Sequence, residues 1–461
     1  MRFSPELAEI RFGCGLSPQI AAPGSAAEML EHLRQGDIMA QAFPIEPYDI
    51  FRERLIEDWQ ARKVARTSGN DDDRDAAIDR VKSIRRAARQ DMFFYLGQAV
   101  LRCAHSDQPF RERLVLFWAD HFTAYGKAGI KQYGGPTYVE EAIRPNISGR
   151  FSDLLIAVTT HPVMIQYLDQ NRSSGPNAAA TKRSKILKGL NENLAREVLE
   201  LHTLGVGGPY TQQDVRQLAE LFTGLSHSLQ EGFLFRPRMA EPGHETVLGK
   251  QYGGDAPSLD AIHQVLRDLA AHPATARHIA RKLAVHFVSD HPDAGLVEDL
   301  AEIYLQTDGD LMAVYSGLLD HPASWRTELQ NVKPPFDFVA SACRALAVQP
   351  DIQSNDSFNV ALRALWVPLT IMGQTWLRPA GPNGFPEEDE AWVTPQGLAA
   401  RMRWAMAAPE KLIDPLPDPR VFVEASLGAF ASSQTHFAAQ AAETRAEGVG
   451  LVLISPAFQR R

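Results

Sequence analysis

A mainly α-helical chain is predicted by three features of the sequence. Apolar residues recur at helical spacing over most of its length, helix-start signals repeat from end to end, and strand-like patterning is confined to residues 226–254. The architecture expected is a multi-helical array carrying a small β-hairpin insertion.

The elements follow in order. Ser4-Pro5 is a capping residue followed by a proline at the first helical position, and Ser25 before Ala-Ala-Glu-Met-Leu opens a helix ending near Gly36. From Tyr48 to His105 only Thr67 to Asp73 interrupts the helical pattern, which predicts two long antiparallel helices. The next helix, from Pro109 to about Tyr125, places Leu114, Phe117, Trp118, His121, Phe122 and Tyr125 on one face. Short helices are expected over Phe151 to Ala157 and Pro162 to Leu168. The polar, basic run from Asn171 to Gly189 reads as a mobile loop or lid. A helix beginning near Asn191 ends at Gly205, and Thr211-x-x-Asp214 opens another. Phe233-Leu234-Phe235, the Glu241-Pro242-Gly243 turn and Thr246-Val247-Leu248 mark the hairpin, with helices resuming at Ser258.

Composition bounds the function classes. With 461 residues, 44% of them hydrophobic, the chain has ample material for burial. It is expected to be one family-length unit, divisible into an N-terminal helical region (1–130), core helices with the candidate site (131–225), the β insertion (226–256) and a C-terminal helical region (257–461). A net charge of -9 gives no overall attraction to nucleic acid. No apolar run is long enough for a membrane span. The three cysteines, Cys14, Cys103 and Cys343, form neither a disulfide framework nor a thiolate zinc site. Without a secretory signal pattern at its start, the protein is expected in the cytoplasm, with export alongside a partner as the alternative.

Chemistry is concentrated in NENLAREVLELHTLG. Leu194, Val198 and Leu201 form an apolar row that takes in Glu197, so this acid is expected on the packing face, with Glu200, Arg196 and Asn193 beside it. Two carboxylates so placed can hold a divalent metal or separate each other's pKa values for acid–base work. The competing reading is a structural network in which Glu197 pairs with an arginine. His121 points into an apolar stripe, where it either bonds a core partner or lines a pocket with Glu197. His286, beside Ile279, Leu283 and Phe287, is read as core packing. Lys182, Arg183, Lys185 and Lys188 lie in the basic run without a balancing acid, next to a helix start suited to anions.

These segments together resemble a family. LVLFWADHF (Leu114 to Phe122), IRPNISGRFSDLL (Ile143 to Leu155), HPVMIQYLD (His161 to Asp169), GLNENLAREVLELHTLGVGGPYTQQDV (Gly189 to Val215), PGHETVLG (Pro242 to Gly249), ARKLAVHFVSD (Ala280 to Asp290), Gly373-Gln374 and the terminal ISPAFQRR are similar to the bacterial domain-of-unknown-function family 1800. Departures are Leu225 and Phe385 where the family pattern has tryptophan, and Ala240 where it has a histidine, with His244 nearby. The resemblance implies no established activity. It does imply a sulfatase- or phosphatase-like protein as a partner, because members are often encoded beside one.

Two functions follow as expectations. The first is a hydrolytic enzyme with His121, Glu197 and Glu200 as catalytic groups and Arg196, Asn193, Lys182, Arg183 and Lys185 binding an anionic or sugar-like substrate. The second is a non-catalytic binding or chaperone-like partner. No nucleophile elbow, phosphate loop or dinucleotide fingerprint is present.

Overall fold

The computed structural model describes residues 3–183, 189–349 and 361–461. Helices dominate, and the strands form two separate antiparallel pairs, β1 (Leu225–Ser228) with β2 (Gly232–Phe235) and β3 (Gly243–Val247) with β4 (Lys250–Gly254). The insertion therefore lies where the alternation placed it, as two hairpins instead of one. Among the described residues no helix is long and apolar enough to cross a membrane.

The start signals act as their chemistry requires. Ser4, Ser25 and Asn70 each accept a backbone N–H of the first turn they precede. Thr211 and Asp214 form a reciprocal capping box. Only residues 68–70 separate Tyr48–Thr67 from Asp71–His105, and a link this short makes the two helices pack side by side. Pro335–Ala345 lies against the second of them.

Pro109–His121 is the central helix, buried along nearly its whole length. Trp118 donates from its indole N–H to the Tyr315 hydroxyl at 2.7 Å, which donates to the Ile147 carbonyl at 2.8 Å, so a bulky pair crosses the core without an unpaired polar group. The helix ends at His121, not near Tyr125, because Thr123 turns its hydroxyl back to the Asp120 carbonyl and caps the end. Around this helix Pro273–Phe287 packs on Ala294–Gln306, which packs on Leu311–Asp320. Pro395–Ala407 joins Arg445–Leu453 in the C-terminal part.

Buried arginines tie distant segments together. Arg11 donates to the carbonyls of Ser324, Arg326 and Glu328, and Arg401 to the Lys333 carbonyl and the Gln459 side chain. Arg344 donates to the carbonyls of Gly15, Cys103, Ala104 and Ser106 and to the Glu9 carboxylate. A planar guanidinium with five N–H donors can satisfy several loop carbonyls at once.

The lid expectation fails for the described part of its segment. In 171–183, Ser173, Ser174 and Ala178 are buried, and backbone bonds from Gly175 to Met239 and from Ala180 to Arg238 fasten the chain to 238–241. Asn177 adds two bonds to the Glu241 carboxylate. Small residues make this approach feasible: a Cβ on Gly175 would stand 2.4 Å from a Glu241 oxygen. Lys182 is exposed, while Lys185, Lys188 and the side chain of Arg183 lie outside the described residues.

Candidate acid–base cleft

The helix carrying Glu197 departs from regular spacing. It runs as an α-helix over Asn193–Glu197 and with wider π turns over Val198–Thr203. Its buried positions are Leu194, Ala195, Val198, Leu199, His202 and Thr203, a repeat of four and not 3.6. Leu201 therefore turns partly outward and Glu197 falls at the edge of the packed face, half-buried instead of buried. Among the described residues no hydrogen bond or ion pair reaches its carboxylate. Burial and the neighbouring Glu200 push its pKa up, against the pull of Arg196.

Arg196, Glu200 and Asn193 stand on the outer side. Arg196 pairs with Glu200 at 3.2 Å and Glu192 at 3.3 Å and bonds Gln212, while the Asn193 side is exposed. His202 faces the opposite way, inward, with its ring centroid 6.2 Å from that of His121. His121 is buried among Phe117, Trp118, Phe122, His202 and His278, and its Nε2 meets the His202 carbonyl at 3.3 Å. Burial, then Lys282 and the two other histidines, hold it neutral, with its pKa well below the ordinary value. Among the described residues no polar contact joins His121 to Glu197, and neither lines the cleft described below. Glu197→Gln is accordingly expected to change unfolding free energy by less than about 1 kcal/mol, the range of exposed charge interactions. A loss of about 3 kcal/mol or more in urea denaturation would reveal a buried partner instead.

Titratable groups meet elsewhere. A cleft of about 760 Å³, open solvent at its mouth included, is lined by Asp120, His286, Asp337, Gln374 and Glu387, with aromatic walls from Tyr138, Phe336, Trp376, Phe385 and Trp392. Asp120 comes from the last turn of the central helix and Glu387 from the irregular stretch after Gly384. The join between them is tight. Phe385 N–H donates to Asp120 Oδ1 at 2.8 Å, and Gly384, at φ +77, lies so close that a Cβ there would stand 2.5 Å from Asp120 Oδ2.

The two carboxyl groups have opposite environments. Burial pushes Asp120 up to about 7, helped by the charge of Glu387 and opposed by the Phe385 N–H and Lys282. Burial would also raise Glu387, but His286, Lys282 and Arg113 outweigh it and hold Glu387 below the ordinary value. His286 Nδ1 lies 3.1 and 3.0 Å from the two Glu387 oxygens, and its Nε2 lies 3.0 Å from Arg113 Nη2. A guanidinium only donates, so His286 Nε2 accepts and the ring proton sits on Nδ1, facing Glu387. Arg113 in turn pairs with Asp337. Among the described residues no group of three or more His, Cys, Asp or Glu side chains is placed to hold a metal ion.

A family described as "Protein of unknown function (DUF1800)" matches residues 11–460. The chain belongs to this family. No curated protein and no solved structure matches it. Several stretches that carry the family resemblance converge on the cleft, Asp120 from Leu114 to Phe122, His286 from Ala280 to Asp290 and Gln374 from Gly373-Gln374, and Phe385, where the family pattern has tryptophan, lines it too. By contrast His244, the residue available to replace the histidine missing at Ala240, is exposed on β3, and Ala240 is buried. Reading His286 as core packing overlooked its polar edge. Its ring stacks edgewise on Phe117 and Phe287 while both nitrogens serve Arg113 and Glu387.

Proposed function

We propose that the protein is a hydrolase whose site is the Asp120–Glu387 cleft, acting on a neutral, hydroxyl-rich substrate such as a saccharide. The observation that carries this reading is that Asp120 and Glu387 line one aromatic-walled cleft, the first hydrogen-bonded by a backbone N–H and the second by His286. Opposed pKa shifts support a division of labour. Asp120, keeping its proton near neutrality, donates it to the leaving oxygen. Glu387, ionised and oriented by His286, takes a proton from the attacking water, whose oxygen bonds to the reacting carbon as the carbon–oxygen bond of the leaving group breaks. Trp376 and Trp392 supply apolar faces of the kind on which sugar rings stack. The carboxyl groups of the cleft disfavour an anionic substrate, and the exposed Lys182 is outside it, so a sugar-like substrate is preferred to an anionic one.

The test is a panel of neutral oligosaccharides and aryl glycosides, read by tryptophan fluorescence quenching and by release of product. Parent protein should bind at least one member and hydrolyse it. Glu387→Gln should keep binding within a few-fold and lose hydrolysis by roughly 10²–10⁴ in rate. An enzyme whose turnover is unchanged in Glu387→Gln, or a parent that neither binds nor cleaves any member, would sink the reading.

A further inference from the structure

Behind the cleft, sharing Asp337 with it, lies a second and smaller cavity bounded by Cys14, Arg113, Lys333, Ser341 and Arg461. The cations that line it outnumber the carboxylates that line it. Arg113 and Arg461 both direct a guanidinium N–H at the same oxygen of Asp337, so one carboxylate serves two buried arginines. Lys333 is 5% exposed, and among the described residues the one acceptor its ammonium group meets is Ser341 Oγ, at 3.2 Å. The Ser341 hydroxyl gives its own hydrogen to the Phe338 carbonyl. The Nε atoms of Arg113 and Arg461 are buried without a partner. Arg113 and Arg461 thus occupy the one carboxylate that lines the cavity, while Lys333 meets only a hydroxyl and, 4.2 Å away, the ring of Phe458 among the described residues, and burying a cation without an anionic partner is costly. The consequence is visible at Lys333, which burial, reinforced by Arg113 and Arg401, pushes down to about 7 in spite of Asp337.

We propose that this cavity is a binding site for one small monovalent anion of chloride size, held by Lys333, Arg113 and Arg461. Size sets the class. The space is far smaller than that of the cleft, which favours a monatomic anion over phosphate or a carboxylic acid. The remaining wall includes the Cys14 and Ser341 side chains, and Gly15 brings bare backbone close enough that a Cβ there would stand 3.0 Å from Ser341 Cβ. An anion there supplies Lys333 with the counter-charge that Asp337, occupied by two arginines, does not. The inference stands apart from the hydrolase reading, because it concerns binding alone.

The experiment measures thermal unfolding of the full chain in potassium chloride against potassium gluconate at matched ionic strength, together with the excess ³⁵Cl NMR linewidth. In the parent the midpoint should rise with chloride and level off, as expected for a ligand that binds only the folded state, and the linewidth should saturate over the same range. Lys333→Met, close in length and uncharged, should weaken both effects at least tenfold. Should that variant fail to fold, parent crystals soaked in bromide decide the matter: an anomalous peak between Lys333 and the two arginines upholds the site. Equal midpoints in the two salts without a saturable linewidth, a chloride effect undiminished in folded Lys333→Met, or bromide bound only elsewhere would each overturn it.

Discussion

Replacing Arg344 with methionine is expected to lower the unfolding free energy by about 3–5 kcal/mol, the cost of breaking a buried ion pair from one side. Arg344 is 0% exposed by its side chain and Glu9 3%, and they meet at 3.1 Å. The guanidinium also holds four carbonyls, those of Gly15 and Cys103, which line the candidate anion cavity, and those of Ala104 and Ser106 at the end of the long Asp71–His105 helix. Methionine fills much of the volume but offers none of the N–H groups, and each buried acceptor left without a partner costs about 1–3 kcal/mol. One effect limits the loss. Burial already pushes Glu9 up to about 7 against the pull of Arg344, so without the guanidinium the carboxyl takes up a proton instead of remaining as a naked charge. Urea denaturation at pH 7 measures the difference. The double variant with Glu9→Gln should recover part of it, since the two sites are in contact and their effects are not additive. A single-variant loss below about 1 kcal/mol would show that these segments hold together without the arginine.

How much of this was legible in the sequence depends on the range of the interaction. Capping is a matter of three or four adjacent residues, so Ser4, Ser25 and the Thr211–Asp214 box could be read directly, as could the break between the long helices. The β insertion was legible because its alternation contrasts with everything around it. The Glu197 helix was misjudged for a local reason of a different kind: a regular 3.6-residue period was assumed where π turns stretch the repeat, and over ten residues that difference moves an acid from the packed face to its edge. The cleft could not be read at all by spacing. Asp120 and Phe385 are 265 positions apart, and His286 and Glu387 are 101 apart, so only the fold brings them together. The available signal was an aspartate next to His121 on a helix buried on nearly every side. Such a helix has no solvent face, and an acid on it must be neutralised, paired or turned to a cavity.

Asp120→Asn should separate stability from activity in opposite directions. In the folded protein this carboxyl holds its proton up to about 7, against 3.8 for the ordinary group, so the folded state binds more protons than the unfolded state between those values. Stability from this group is therefore fully present below about pH 4 and is lost as pH rises through about 7. A shift of roughly three units corresponds to at most about 4 kcal/mol, and contact with the open cleft reduces this to about 2–3 kcal/mol. Asparagine cannot ionise, yet its Oδ1 can still accept the Phe385 N–H. At pH 8 the variant should accordingly be the more stable protein by about 2–3 kcal/mol, with the difference vanishing near pH 4. If Asp120 is the acid of the proposed reaction, the same substitution should lower the hydrolytic rate by roughly 10²–10⁴, because the leaving oxygen no longer receives a proton. Denaturation curves from pH 4 to 8, paired with turnover on whichever glycoside the parent cleaves, measure both. Identical pH slopes in parent and variant would mean that the aspartate titrates normally. A stability gain with turnover intact would leave its environment as described but remove it from the chemistry.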